Sequence, residues 1–454
     1  MLEYLDMRQR RKNTDIENDN NTTAKKVMKK GRIIAFAIVG GFLTIILVFV
    51  AVCGIRWAIH SKTVGAYGDY KFDGGQTRFD LDLFPSLVVD KDANELKILQ
   101  IADPQIKFGS FTRDTKTMDL LDRAIKAEKP DICVVTGDLT LSIFTYDAFN
   151  YFAKFMEERK QYWTFTYGNH DSQFDCSKYT IYNLLKGYKH CLFSPGPSDV
   201  YGESNFLVNI FKDSYGADNL IYSLVLLDSG MYPTDNASLS DWVYDWIRQS
   251  QMDWYEWAVD GLRTVKADIQ TSMFFHIPIR EFANMYYLNE LAKGRDVSDD
   301  VKSKLPNVEI RDVKGVVCES DKSDSEIVYG DDGYTVGIFY QGNAENTTDH
   351  PDVFKYIKKL DCTKALFCGH DHVNNLKGYY DGVYLGYGLC CGYHTYPIFD
   401  DPKILTDKVL YNAKLWVDED GNQMEKGVTA IQIDLADGAY GALTVNDQQN
   451  SYYK

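Results

Sequence analysis

Four short segments spread along this 454-residue chain carry carboxylates, imidazoles and amides: Asp103-Pro104-Gln105, Gly137-Asp138, Gly168-Asn169-His170-Asp171 and Gly369-His370-Asp371-His372, with a lone His276 between the last two. That mixture of oxygen and nitrogen donors suits cations of borderline hardness, and two such cations close together can clamp a phosphoryl group and acidify a water. Taken singly, each piece has a plainer reading. Asp138 is what a strand-end turn often holds, Asn169 to Asp171 after a glycine reads equally well as a turn, and a His-x-His pair is weak evidence for a metal. Their coincidence is what counts, because four of the eight histidines, His170, His276, His370 and His372, fall in these few places. His60, His190, His350 and His394 have no comparable setting and read as surface or packing residues.

Each segment follows an apolar, β-rich run: Lys97 to Ala102, Ile132 to Thr136, Trp163 to Tyr167, and Ala365 to Cys368. The polar residues therefore stand where a buried strand gives way to a loop, the edge at which open α/β sheets bind ligands. Amphipathic stretches near Thr115 to Glu128 and Tyr146 to Glu158 alternate with those runs. This βαβαβ rhythm predicts a mainly parallel sheet covered by helices. Farther on, Phe206 to Phe211 and Leu220 to Asp228 read as a hairpin, Leu239 to Val259 as a long Trp-rich helix, and Ser272 to His276 as another strand. Residues 294–334 are charged and poorly periodic, which marks an inserted loop or small cap.

Ahead of this domain, Ile33 to Ile55 runs without a charge and is long enough to cross a bilayer as a helix. Nine Lys or Arg precede it, from Arg8 to Arg32, against Arg56 and Lys62 just after it. The positive-inside rule then keeps the tail in the cytoplasm and the remainder on the extracytoplasmic side. A cleaved signal peptide is the competing reading, but its apolar core would be shorter, about 7 to 15 residues. The predicted order is a basic tail (1–32), a transmembrane signal anchor (33–55), a linker (56–95) and the globular domain (96–454).

Charge divides along the same line, since residues 1–62 carry +6 and so leave −22 for the remainder of a chain whose net charge is −16. So acidic a domain repels polyanions and holds cations, which argues against a nucleic-acid partner. Nine cysteines form no CxxC pair, which excludes zinc ribbons and thioredoxin-like chemistry. In an oxidising space Cys176 and Cys191 would be the first pair to bridge, whereas Cys133 and Cys368 sit in apolar runs and read as buried thiols.

The ordered set Asp-x-Gln, Gly-Asp, Gly-Asn-His-Asp, His and Gly-His-x-His resembles the calcineurin-like metallophosphoesterase superfamily over residues 96 to about 397. Tyr222 to Gly230, Asp245-Trp246-Ile247 with Gln251 to Trp254, His276-Ile277-Pro278 and Gly392-Tyr393-His394 resemble the branch with yeast Dcr2-type phosphatases and plant purple acid phosphatase-like proteins. The resemblance implies an αββα two-sheet sandwich behind the membrane helix. It also implies a phosphate-ester substrate and two divalent or trivalent metal ions (Mn, Fe or Zn, with Mg an option), with a metal-bound hydroxide as nucleophile. On that pattern Asp103, Gln105, Asp138 and His372 surround one ion, and Asp138 bridges to a second held by Asn169, His276 and His370. His170 is then left to bind a phosphate oxygen or protonate the leaving group, with Asp171 orienting it and Asp371 pointing away.

Gln105 departs from the superfamily's usual His. An amide oxygen binds more weakly than imidazole, so the first ion would sit in an oxygen-rich site, bind loosely, or be dispensable. A catalytically silent, metal-stabilised ectodomain and a lipid-phosphate or pyrophosphate hydrolase remain alternatives. The implied walls of the site are Phe108 to Arg113, Phe282 to Leu288 and the 294–334 insertion, where Tyr286 and Tyr287 either stack on a substrate or pack against the insertion.

Overall fold

Alternation along the strand Glu95–Ile101 shows how the layers form. Leu96 and Ile98 point to one side, Leu99 and Ile101 to the other, and both sides are buried. A strand apolar on both faces needs a cover on each, and the chain supplies a second sheet on one side and helices on the other. In this computed structural model, the described residues are 2–62, 65, 67–108, 111–232, 244–315, 317, 351–372, 374–395, 425–435 and 442–453.

In chain order the elements are α1 (Leu2–His60), β1 (Ser86–Val89), β2 (Glu95–Ile101), α2 (Phe111–Glu128), β3 (Ile132–Thr136), α3 (Thr145–Glu158), β4 (Trp163–Thr166) and α4 (Lys178–Leu185). Next come β5 (Phe206–Lys212), β6 (Leu220–Leu226), α5 (Gln249–Val265), β7 (Thr271–Phe274), α6 (Arg280–Ala292), α7 (Asp299–Lys304) and β8 (Ile310–Lys314). The last are α8 (Val353–Leu360), β9 (Thr363–Cys368), β10 (Lys377–Tyr380), β11 (Val383–Tyr387), β12 (Gly427–Asp434) and β13 (Leu443–Gln449). Two units divide at Ile59 and His60. The first is helix throughout its described length, and the second holds both sheets.

The smaller sheet runs β13-β12-β2-β3-β4 and the larger β1-β5-β6-β7-β9-β11-β10-β8. Strands β2, β3 and β4 are parallel to one another, as are β6, β7, β9 and β11. Between the sheets lies one core, in which Ile98, Val134 and Ile431 meet Val208, Leu224, Phe274 and Phe367. Outside the small sheet, Leu99, Val135 and Phe165 pack on α2, α3 and α4 through Leu121, Phe149, Phe152 and Ile181. Beyond the large sheet, Met273, Leu366 and Leu385 pack on α5, α6 and α8 through Tyr255, Phe282 and Ile357. The layering is therefore αββα, as the resemblance implied.

Several boundaries differ from the sequence reading. Residues 56–95 do not act as a plain linker, because β1 pairs in parallel with β5 and Phe72 and Phe84 are buried against the larger core. The hairpin is present as β5 and β6. The Trp-rich helix starts at Gln249, ten residues after Leu239, and the part of that expectation at 239–243 lies outside the described residues. Its start is fixed locally: Arg248 N–H donates to Gln251 Oε1 at 2.8 Å, and the Arg248 guanidinium holds Asp245 at 2.7 Å. Within 294–334, α7 and β8 are ordered, β8 pairing antiparallel with β10 at the sheet edge, while 318–334 lies outside the described residues. Cys176 and Cys191 are both free thiols rather than a bridge. Cys191 is held at the β4 edge by pairing with Trp163, and Cys176 Sγ donates to Ser177 O at 3.7 Å. Cys133 and Cys368 are buried, and burial pushes both thiols up.

Candidate metal centre

Every residue of the predicted set stands just past the C-terminal end of a parallel strand. Asp103 and Gln105 follow β2, Asp138 follows β3, Asn169 to Asp171 follow β4, His276 follows β7, and His370 and His372 follow β9. Because three of these strands belong to one sheet and two to the other, the sheets must be locked together at this edge. Gln100, on the inner face of β2, does so: its Nε2 donates to Cys368 O at 2.9 Å and Thr136 Oγ1 at 3.2 Å. Glycines then let the loops close on the cluster. A Cβ on Gly137 (φ +81) would strike the His276 ring, and one on Gly168 would strike the Asp138 backbone and carboxylate.

The cluster is tight. Donor atoms of Asp103, Asp138 and His276 all lie within 4.8 Å of one another, and all three residues are buried. His276 Nε2 is 3.4 Å from Asp138 Oδ1, His372 Nε2 is 3.4 Å from Asp103 Oδ1, and His370 Nδ1 is 3.3 Å from His276 Nε2. His276 Nδ1 faces the Thr136 carbonyl at 2.9 Å and must donate to it. The other ring nitrogen, Nε2, then faces Asn169 Oδ1 at 2.9 Å, and the Asn169 amide nitrogen is turned away to Tyr232 Oη at 3.1 Å. The lone pairs of His276 Nε2, Asn169 Oδ1 and the Asp138 carboxylate thus converge, an arrangement that suits a cation.

Electrostatics agree. Burial alone would raise the Asp138 carboxyl, but the imidazoles of His276, His170 and His372 and the His170 N–H bring it down to about 2. Burial, reinforced by neighbouring His276, holds His370 well below the usual imidazole value, so the ring is neutral with a lone pair to give. Backbone strain gathers at the same place. Asp103 (φ 51), Gln105 (φ 42), Asp138 (φ 50) and His370 (φ 76) are all in the left-handed region, at a cost of roughly 1 kcal/mol or more each.

Gln105 brings its amide to the cluster, Nε2 standing 3.1 Å from Asp138 Oδ2 and 3.3 Å from His372 Nε2. A half-turn of that amide presents its oxygen to the same point. His170 lies on the open side, 3.8 Å from Asp138 Oδ2 through Nε2, with its N–H donating to Asp138 Oδ1 at 2.9 Å.

The predicted orienting role of Asp171 is corrected. Its buried carboxylate accepts from Thr140 N at 3.0 Å and Gly168 N at 2.8 Å, stitching the β3 and β4 loops together. His170 Nδ1 is held instead by Gln173 Oε1 at 2.8 Å. Asp371 does point away, accepting from Tyr387 Oη at 2.6 Å. Tyr286 and Tyr287 are buried in the large-sheet core, so they pack rather than line the mouth. Sequence reasoning missed Tyr232 and Tyr244, the latter standing edge-on to His370 with centroids 4.3 Å apart. The one available signal was that Tyr232 follows Asp228-Ser229-Gly230, another polar strand end. His394, read as packing, lies with Nε2 3.0 Å from buried Asp114.

Two sheets whose parallel strands end on one buried cluster of carboxylates and imidazoles define a metallophosphoesterase. The family model for the calcineurin-like phosphoesterase matches residues 96–374, and the chain belongs to that family of hydrolases acting on phosphoric esters. It is 27% identical to "Probable inactive purple acid phosphatase 29" of Arabidopsis thaliana over 333 residues, spanning 66% of this chain and 73% of the plant protein. It is 26% identical to Phosphatase DCR2 of Saccharomyces cerevisiae over 240 residues, which span 48% of this chain but 40% of the yeast protein. Among solved structures it is similar to a dimetal phosphatase from Danio rerio, with 12% identity, a TM-score of 0.42, and coverage of 78% of this chain and 96% of that one.

Proposed function

We propose that the protein is a membrane-anchored phosphoester hydrolase working through two metal ions. Asp103, Gln105, Asp138 and His372 would hold one ion; Asn169, His276 and His370, with Asp138 shared, would hold the other. The observation that carries this reading is the convergence of His276 Nε2, Asn169 Oδ1 and Asp138 Oδ1 on one point. When bound, such ions neutralise a phosphoryl group and lower the pKa of a shared water. Their identity would be Mn, Fe or Zn by the mixed N/O donor set, with Mg favoured on the Gln105 side, where oxygen donors predominate.

The chain's own residues supply the rest. Asp138 stays ionised at neutral pH and is rigidly held by the His170 N–H, so its charge is fixed before substrate arrives. Gln173 orients the His170 ring through Nδ1, which leaves Nε2 on the open side to take up a proton and pass it to the departing oxygen. Thr136 O fixes the tautomer of His276. The apolar helix would anchor the protein with its basic tail in the cytoplasm and the metal centre on the other side.

A silent, metal-stabilised ectodomain is the second reading, supported by Gln105 and by the inactive designation of the plant relative. Hydrolysis of p-nitrophenyl phosphate and bis-p-nitrophenyl phosphate after chelation and reloading with Mn, Fe, Zn or Mg separates the two. Turnover with any of these metals supports the enzyme, and the preferred ester assigns mono- or diesterase specificity. Metal uptake without turnover of either ester favours the silent domain.

A further inference from the structure

The described part of the His60–Lys454 unit exposes four large side chains that are hydrocarbon throughout: Val88, Phe108, Ile143 and Phe174, at 45%, 44%, 48% and 44%. Single exposed apolar residues are ordinary. Three of these are not scattered, since Phe108, Ile143 and Phe174 each stand five residues beyond a member of the cluster, Asp103, Asp138 and Asn169 respectively. Their loops are tied side by side. Leu141 N–H donates to Ile106 O at 3.2 Å, Ser142 Oγ to Lys107 O at 3.4 Å, Thr140 N–H to Asp171 at 3.0 Å and Thr145 N–H to Asp175 at 2.9 Å. Phe174 adjoins Gln173, the partner of His170. The loops that carry three members of the cluster therefore also carry an exposed hydrocarbon rim.

A second observation comes from where the chain enters this unit. His60, the last residue of α1, stacks on Tyr146 with centroids 4.5 Å apart and lies 3.7 Å from Asp175 Oδ2. Its carbonyl accepts from Ser177 N–H at 3.0 Å, and Ser177 Oγ donates to Lys62 O at 2.8 Å. Tyr146, Asp175 and Ser177 are each within three residues of Ile143 or Phe174. Among the described residues, the helix that ends at His60 is the one long and apolar enough to cross a membrane, its most apolar 18 residues reaching a mean hydropathy of 3.0. His60 and the exposed Ile143 and Phe174 thus lie on or against the same loops.

We propose that Phe108, Ile143 and Phe174 sit in the bilayer interface and that the metal centre acts on phosphoesters carried by lipids of the same membrane. This rests on the hydrolase and anchor reading above and names its substrate class. The rim shelters the acyl portion while the headgroup phosphate reaches the cluster. With phosphatidic acid, one water would be consumed and one P–O ester bond broken, giving diacylglycerol and inorganic phosphate.

The test uses the full chain in phosphatidylcholine nanodiscs. Phe174→Trp, compared with the parent protein in discs of brominated phosphatidylcholine, adds emission that the bromines quench if the rim is inserted; unquenched added emission overturns the proposal whatever the headgroup specificity. In discs doped with phosphatidic acid, phosphate release is expected to fall about tenfold or more in the double variant Ile143→Ser, Phe174→Ser. Turnover of soluble p-nitrophenyl phosphate should stay unchanged. Hydrolysis of the soluble ester with lipid phosphate spared, or lipid turnover indifferent to the double variant, refutes the lipid assignment and leaves the hydrolase standing. Failure on both esters refutes the hydrolase reading together with the lipid one.

Discussion

At the scale of single residues the account turns on Asp138 and its neighbours. Their types were legible in the sequence because several carboxylates and imidazoles, each of which alone would pass for a turn residue, fall together at the ends of buried strands. What the sequence hid was direction. Asp171 adjoins His170 along the chain, yet the turn sends its carboxylate into the β3–β4 loop contacts while His170 faces the opening. Tyr232 gave little signal, being one of 32 tyrosines whose hydroxyl gains meaning only beside Asn169. Gln105 yields the sharpest residue-level prediction. Gln105→His replaces an amide with a stronger nitrogen donor, so calorimetric titration should show the weaker metal equivalent tightening by about tenfold or more, the scale at which even an outer partner matters. Identical affinities in both proteins would remove Gln105 from the ligand set.

At the scale of elements, β2, α2, β3, α3 and β4 were read close to their observed bounds, the Trp-rich helix was placed ten residues early, and the strands that went unread depend on long-range pairing. β1 is four residues long and gains its place only from β5, more than a hundred residues later. β12 and β13, which complete the small sheet beside β2, lie past the last motif and gave no warning. The glycines that let the loops close make a direct test. Gly137→Ala forces a left-handed alanine and drives its methyl into the His276 ring. Chemical denaturation should show a loss of at least about 1 kcal/mol, together with weaker metal binding; a neutral substitution would mean the loop has room that this packing denies.

Helix α6 offers a pH test. Glu281 in its first turn sits where the helix dipole favours a carboxylate. Burial nevertheless wins, raising its carboxyl from 4.5 to about 7 with Asp352 adding to the effect. The folded form therefore holds a proton that the unfolded chain releases, so the Glu281 contribution is full below about pH 4.5 and is lost as pH rises toward about 7. In melting profiles at low and neutral pH, Glu281→Gln should flatten that decline, and a parallel profile would place the carboxyl in water.

At the scale of the whole molecule, the contrast between a basic N-terminal tail and a strongly acidic remainder suits an anchored ectodomain, and it needed only composition to see. Reversing the nine basic residues from Arg8 to Arg32 to Glu should invert or scramble the orientation, read by protease accessibility in sealed membranes. An unchanged protection pattern would mean the tail does not set topology. The central claim, that the strand-end cluster is a two-metal hydrolytic centre, is tested most directly by titrating metal-free full-length protein with Mn2+ while following p-nitrophenyl phosphate hydrolysis. The account predicts no turnover without metal, a rise that breaks at two equivalents, and none at any loading in Asp138→Asn. Turnover that survives chelation, or an Asp138→Asn variant that takes up metal and works like the parent, would contradict it.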